Sequence, residues 1–168
     1  MKANIIYFLL ASILLWGCNS EKKKPPIDLS DINNNADITV PYEDINGIKV
    51  IPVKLNGITI NMIYDTGCSG IHISLHELQT LYKNGKFSKE DIIGATLSQI
   101  ADGSIVENGL IILREVEIGG ENGLKLQNIE ASVSLNQAAP ILLGNGVLDE
   151  LASVEVNNTN KVIIFKKY

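Results

Sequence analysis

The chain has 168 residues, 45% of them hydrophobic and 20% charged, which fits one ordinary globular domain with short additions. Its formal net charge is −5, and no basic patch follows the lysines near the N-terminus. The composition therefore argues against nucleic acid as a partner.

The chain begins with a short apolar segment behind one positive charge. Residues Ile5 to Trp16 are too few to span a bilayer comfortably and have the length of a signal-peptide core. The segment ends in Leu15-Trp16-Gly17-Cys18, which resembles the lipobox of bacterial lipoproteins, although Trp16 is bulkier than the usual residue. The resemblance implies a lipoprotein signal peptide over residues 1–17, cleavage before Cys18 and lipidation of that cysteine. An uncleaved N-terminal anchor is the alternative.

Residues 18–36 are predicted to be the lipidated cysteine and a flexible tether. The segments Lys22 to Pro26 and Asn33 to Asn35 are polar, and the prolines favour an extended backbone. The protein would then be a lipid-anchored component of the bacterial cell envelope that faces the periplasm, on the inner or the outer membrane. With Cys18 lipidated, only Cys68 remains, so no intrachain disulfide could form.

Residues 37–168 predict one all-β domain, because short β-branched runs alternate with turn signals. Ile48 to Leu55 and Ile58 to Tyr64 flank Asn56-Gly57, which is a strong hairpin signal. Pro52 inside the first run predicts an edge position or a bulge. From periodicity alone the domain is a β-barrel or a β-sandwich.

The rest of the domain continues this pattern, with one clear helix. Ser74-Leu75-His76-Glu77 has the spacing of a capping box and precedes a short amphipathic helix that ends before Gly85. Residues 95–118 predict a long hairpin that turns near Ala101-Asp102-Gly103-Ser104. The other predicted elements are strands at Ile71 to Ser74, 124–135 and 140–143, a helical turn or two over Val147 to Ala152, and a closing hairpin of Val154 to Val156 with Val162 to Phe165.

Ile63-Tyr64-Asp65-Thr66-Gly67-Cys68-Ser69 places a carboxylate at the end of a strand, before a glycine that allows a sharp turn. A carboxylate in that position can point into a cleft and activate water. The segment resembles the active-site loop of aspartic proteases, in particular the retropepsin-like group with a single Asp-Thr-Gly. The alternative reading of Asp65 is a turn residue at a strand end.

Two further segments follow in the order that retropepsin-like proteases use. Ala101-Asp102-Gly103-Ser104 stands where the family has its flap, a glycine-tipped loop that closes over the peptide and excludes water. Ile141 to Leu148, which contains Leu142-Leu143-Gly144, resembles the hydrophobic–hydrophobic–glycine motif that packs against the active-site loop. The resemblance covers roughly residues 46–165. It implies an all-β, retropepsin-like closed barrel (the acid protease fold) with one or two short helices.

The resemblance also implies a role for each residue of the loop. Asp65 would be the catalytic carboxylate, Thr66 would brace the loop by a hydrogen bond across a dimer, and Gly67 would permit the turn. Ser69 fits the common pattern of the family, whereas Cys68 stands in place of the usual alanine or serine.

The number of catalytic motifs decides the expected assembly. Aspartic proteases need two carboxylates that share a proton, and this chain has one credible Asp-Thr-Gly. Asp102 suits a turn tip, and Asp149 falls in a predicted helix. The second aspartate must therefore come from a second copy, in a two-fold symmetric homodimer. The sequence thus predicts an aspartic endopeptidase that cleaves extended peptides without a cofactor or metal.

Other readings have weaker support. A cysteine nucleophile at Cys68 would need a base within hydrogen-bond distance and an oxyanion hole, which the spacing to His72 and His76 does not indicate. The two histidines also lack the glutamate of a zinc-protease helix. Two non-enzymatic alternatives are a peptide-binding envelope lipoprotein that kept the fold without the chemistry, and a structural envelope lipoprotein with an unrelated β-sandwich.

Overall fold

The computed structural model describes residues 37–149, 151 and 153–167. The predicted signal peptide, Cys18 and the predicted tether lie outside these residues. In the described part of the chain, no helix is both long enough and apolar enough to cross a bilayer. The strands are β1 (Ile38–Pro41), β2 (Glu43–Ile45), β3 (Ile48–Leu55), β4 (Ile58–Asp65), β5 (Ile71–Ser74), β6 (Ile92–Gln99), β7 (Ile105–Ile118), β8 (Leu124–Ser134), β9 (Leu142–Gly144), β10 (Ser153–Asn157) and β11 (Val162–Lys166); the helices are α1 (Leu75–Lys83) and two short 3₁₀ helices, Lys89–Asp91 and Asn145–Val147.

The strands form two sheets, which confirms the predicted all-β class. The larger sheet has the order β2-β3-β4-β9-β5-β8-β7-β6, and the smaller one has the order β1-β11-β10. In the larger sheet β3 also pairs with β7, through Val53 to Leu55 against Val116 to Ile118. This extra pairing joins β3, β4, β9, β5, β8 and β7 in a closed ring.

The core lies inside this ring because alternate residues of each strand point inward. In β3, the side chains of Ile51, Val53 and Leu55 are all fully buried. The smaller sheet adds Phe165, whose ring meets that of Tyr64 edge-on at a centroid distance of 6.5 Å. The closing hairpin of β10 and β11 therefore contributes to the core of the same chain.

The β3–β4 hairpin follows its sequence signals closely. Asn56 and Gly57 both have positive φ, at 48° and 85°, which is the backbone of the favoured two-residue hairpin turn. The β2 strand pairs with β3 up to Val50, and β7 pairs with it from Val53 onward. Pro52 lies between these two partners, so its missing N–H interrupts no ladder on that side.

Helix α1 is confirmed with its cap. The Ser74 hydroxyl accepts a hydrogen bond from the backbone N–H of His76 at 3.0 Å, and the Glu77 side chain returns to Ser74. The predicted helical turns over Val147 to Ala152 are wrong: the chain instead forms a 3₁₀ helix at Asn145–Val147, and Asp149 lies in the turn behind it. Ala152 falls outside the described residues.

Candidate active site

Asp65 is the last residue of β4 and begins a tight loop that leads to β5. Its Oδ1 accepts a hydrogen bond from the backbone N–H of Gly67 at 2.9 Å, and its carbonyl oxygen accepts one from Cys68 N–H at 3.1 Å. The side chain is half-buried. In the described part of the chain its second oxygen, Oδ2, has no hydrogen-bond partner. One oxygen therefore orients the carboxylate while the other stays available for chemistry.

Strand β9 holds this loop from one side. It runs parallel to β4, with Asp65 opposite Gly144. The backbone N–H of Gly144 donates to the carbonyl of Gly70 at 2.9 Å, and the N–H of Asn145 donates to the carbonyl of Cys68 at 2.9 Å. The loop backbone is thus fixed by main-chain bonds that do not depend on side-chain identity.

The approach of β9 to the loop requires glycine at two positions. A Cβ atom at Gly144 would lie 2.2 Å from the carbonyl oxygen of Cys68, and one at Gly146 would lie 2.0 Å from the carbonyl oxygen of Ser69. Both distances are far inside van der Waals contact. The structure therefore places Leu142-Leu143-Gly144 directly against the Asp65 loop, with Leu143 fully buried beneath it.

The outer surface of the loop is open. Thr66, Gly67 and Ser69 are all exposed, and the Thr66 hydroxyl makes no hydrogen bond to any other described residue. This part of the loop is accessible to a second molecule.

Two shallow depressions flank the loop, and Tyr64 and Thr66 line both of them. One contains Asp65 together with Ile63 and Leu142. The other contains Asp149 and does not include Asp65. Among the described residues Asp65 is the single acidic side chain that lines the first depression, so one chain supplies one carboxylate there.

The predicted flap forms the tip of the β6–β7 hairpin. Ala101, Asp102, Gly103 and Ser104 are all exposed, and Gly103 has a positive φ of 86°. The Asp102 carboxylate accepts hydrogen bonds from the Ser104 hydroxyl at 2.6 Å and from its backbone N–H at 2.8 Å. These bonds hold the pKa of Asp102 below its usual value. Asp102 is therefore engaged in the turn itself.

The structure does not bring together the residues that a cysteine nucleophile or a zinc site would need. The Cys68 thiol donates to the carbonyl of Gly70 at 3.2 Å, and His72 Nδ1 lies 2.8 Å from the Ser132 hydroxyl. His76 is exposed in the first turn of α1. Within the described residues, no group of three or more His, Cys, Asp and Glu side chains could hold a metal ion.

Comparisons with known proteins agree with this geometry. A family model described as "gag-polyprotein putative aspartyl protease" matches residues 51–150. Among solved structures, the fold is similar to a retropepsin-like aspartic protease from Rickettsia conorii, with a TM-score of 0.54 and 21% identity over 79% of this chain and 90% of that one. At that identity the likeness shows the fold alone, and it confirms the retropepsin-like fold predicted from the sequence. No curated protein matches significantly.

Proposed function

Because this chain belongs to the gag-polyprotein putative aspartyl protease family, we propose that it is an aspartic endopeptidase whose catalytic pair consists of Asp65 from two copies. The family and the fold support a protease function. The observation that carries the mechanism is the Asp65 carboxylate, which is oriented by Gly67 N–H and open at its second oxygen.

The count of carboxylates around the loop supports the proposed homodimer. A protease dyad needs two carboxyl groups close enough to share one proton, about 3 Å apart. Asp102 is bonded within its own turn, and Asp149 lines the other depression. The exposed surface of Thr66 and Gly67 offers the place where a second, symmetry-related loop would meet the first. Thr66 would then donate its hydroxyl to the partner loop.

In the dimer the two carboxylates would share the acid and base work. The ionised carboxylate accepts a proton from the attacking water, while the protonated one donates to the scissile carbonyl. The Gly67 N–H bond would keep each Asp65 in one rotamer throughout. An extended peptide would bind by backbone pairing, and the β6–β7 tip would close over it and exclude water.

The mechanism is tested by proteolysis with the full-length chain in mild detergent. Denatured protein is incubated across acidic and neutral pH with the wild type, with Asp65→Asn and with Asp37→Asn. The last variant is a matched control, because it makes the same substitution at an exposed residue ahead of β1, outside the Asp65 loop and the β6–β7 tip. We expect cleavage by the wild type and by Asp37→Asn, and none by Asp65→Asn. Cleavage by Asp65→Asn would contradict the mechanism, and cleavage by none would favour a non-catalytic peptide-binding protein.

The dimer is tested by mixing. A fixed amount of wild type is combined with an equal amount of Asp65→Asn, which forms mixed pairs with a single functional carboxylate. The mixture is assayed at concentrations well above the dimer dissociation constant, where random pairing leaves about half of the wild-type chains in active pairs, so activity should fall to about half. An equal amount of an unrelated inert protein serves as the control. Unchanged activity with Asp65→Asn would show that each chain acts alone.

We also propose that lipid on Cys18 anchors the domain to the cell envelope, facing the periplasm. The proposal is supported by Leu15-Trp16-Gly17-Cys18 behind an apolar run. Intact-mass measurement should find a lipidated N-terminal cysteine, and Cys18→Ala should remove the lipid and release the protein from the membrane fraction. A mature chain that starts elsewhere, without lipid, would contradict this anchor.

A further inference from the structure

The strand register places His72 in one row across the sheet with Ile63 and Leu142, which line the depression that contains Asp65. Ile63 lies opposite Leu142, Leu142 lies opposite His72, and His72 lies opposite Ser132. Residues directly opposite each other on paired strands point to the same face of a sheet. Asp65 shares that face, since it lies two residues after Ile63 on β4.

Burial separates the two faces of this part of the sheet. Ile63, Leu142, His72 and Ser132 are all half-buried. Their neighbours along the strands point the other way. Six of them are buried in the core, namely Met62, Ile71, Ile73, Ala131, Val133 and Leu143, and the other two, Tyr64 and Ile141, are partly buried and pack against it. The row is therefore a partly accessible surface that starts in the Asp65 depression and continues through Leu142 to His72.

The hydrogen bonds of Ser132 favour one tautomer of His72, with the proton on Nδ1. The Ser132 hydroxyl donates to the carbonyl of Ile71 at 3.3 Å. Its oxygen can then accept from His72 Nδ1–H, which lies 2.8 Å away. Burial lowers the pKa of His72 below its usual value of 6.5, so the ring is neutral at neutral pH. In this tautomer Nε2 presents a lone pair, which accepts hydrogen bonds and cannot donate one.

The distance along the sheet fits a substrate subsite. Two residues along a strand span about 7 Å and two strand spacings about 10 Å, so the Cα atoms of His72 and Asp65 lie roughly 12 Å apart. An extended peptide covers that distance in about three or four residues, and the side chains shorten the gap.

We propose that His72, oriented by Ser132, is a specificity-determining residue that selects a hydrogen-bond donor in the substrate peptide. This inference rests on the proposed endopeptidase function. A substrate side chain that bears an N–H or O–H group would donate to His72 Nε2, two to four residues from the scissile bond, an estimate from the strand spacings above. An aliphatic side chain would leave that nitrogen unpaired, and a carboxylate would place a second acceptor against it.

The test uses peptides that carry Leu, Asn or Asp at each position near the cleavage site. These side chains have nearly the same shape, but Asn offers a donor and Asp at neutral pH offers acceptors alone. At one position we expect kcat/KM for Asn to exceed that for Leu and Asp by about tenfold, the effect of one hydrogen bond. His72→Leu should reverse the order of Asn and Leu at that position. His76→Leu, the same change at the exposed histidine of α1, should leave the wild-type preference intact.

A binding measurement distinguishes a failure of this inference from a failure of the proposed function. Fluorescence anisotropy measures the same peptides on Asp65→Asn and on the Asp65→Asn, His72→Leu double variant. His72-dependent selection of Asn in binding, without cleavage by the wild type, would support the subsite and refute the protease. Cleavage with a preference that His72→Leu does not alter, or with Asp favoured over Asn, would overturn the subsite alone. If the protein shows no cleavage and no His72-dependent binding, both the proposed protease function and the subsite are overturned.

Discussion

Gly144→Ala should displace the Asp65 loop from β9 while leaving the Asp65 residue itself unchanged. The added Cβ atom would lie 2.2 Å from the carbonyl oxygen of Cys68, whereas ordinary contact begins at 3.4 Å. The loop and β9 must therefore separate by about 1.2 Å, the difference between these distances. That movement would stretch the two bonds that join them, from Gly144 N–H to Gly70 and from Asn145 N–H to Cys68.

The expected size of the effect is that of overpacking, because the atoms that the added Cβ meets are backbone atoms and cannot move aside as a flexible side chain could. Overpacking costs about 1–3 kcal/mol of unfolding free energy. In a chain of this length that is a loss of roughly 2–4 °C in Tm per kcal/mol. A misplacement of about 1 Å at a catalytic group can cost about a hundredfold in rate. Peptidase activity should therefore fall much more than stability does.

Gly70→Ala is the matched control, since it adds the same methyl group at the residue whose carbonyl accepts the hydrogen bond from Gly144 N–H. Nothing lies within 4 Å of a Cβ atom at Gly70, and its φ is not in the left-handed region. This variant should keep its activity and remain as stable as the wild type, or gain up to about 1 kcal/mol by restricting the unfolded chain. Urea unfolding and peptide cleavage are measured on both variants. Equal stability of Gly144→Ala and Gly70→Ala would refute the close-approach argument.

Three further predictions concern other parts of the domain. Arg114 holds the pKa of Asp91 below its ordinary value of 3.8, so Asp91→Asn should cost about 1–3 kcal/mol at neutral pH. In urea titrations this difference should vanish as the pH falls through the folded pKa, and a difference independent of pH would contradict it. Ser74→Ala removes the cap of α1 and should lower the unfolding free energy by about 1–2 kcal/mol; an unchanged Tm would count against the cap. Thr66→Val should raise the dimer dissociation constant about tenfold in sedimentation. The matched variant Thr59→Val, at another exposed threonine near the start of β4, should leave the dissociation constant unchanged.

The elements that the sequence predicts well are those with local signals. Asn56-Gly57 sets the β3–β4 turn by backbone conformation alone, and Ser74 with Glu77 caps α1 within four residues. The Asp65 loop also has local signals, since the Asp65 side chain accepts from Gly67 N–H and its carbonyl accepts from Cys68 N–H. Each of these features depends on neighbours in the chain, which the sequence displays directly.

The features that sequence reasoning missed depend on non-local contacts. Strand β9 inserts between β4 and β5, and that insertion alone brings Leu142 beside His72. The pairing of His72 with Ser132 likewise needs β5 and β8 to run in parallel. The predicted helical turns over Val147 to Ala152 missed a non-local contact as well: the helical turn forms earlier, at Asn145–Val147, where Asn145 N–H donates to the carbonyl of Cys68 and Gly146 lies against the carbonyl of Ser69.

The loop around Asp65 is held in shape within one chain, whereas the proposed catalysis needs a second copy. Its main-chain groups are bonded within one chain, through Gly67 and Cys68 inside the loop and through Gly144 and Asn145 from β9. A partner is therefore not needed to shape the loop, and it would supply a second carboxylate and a contact for Thr66. Under the proposed function, a weak dimer would then be enough for activity. Tethering of both copies to one membrane through Cys18 would favour such a dimer by raising the effective concentration.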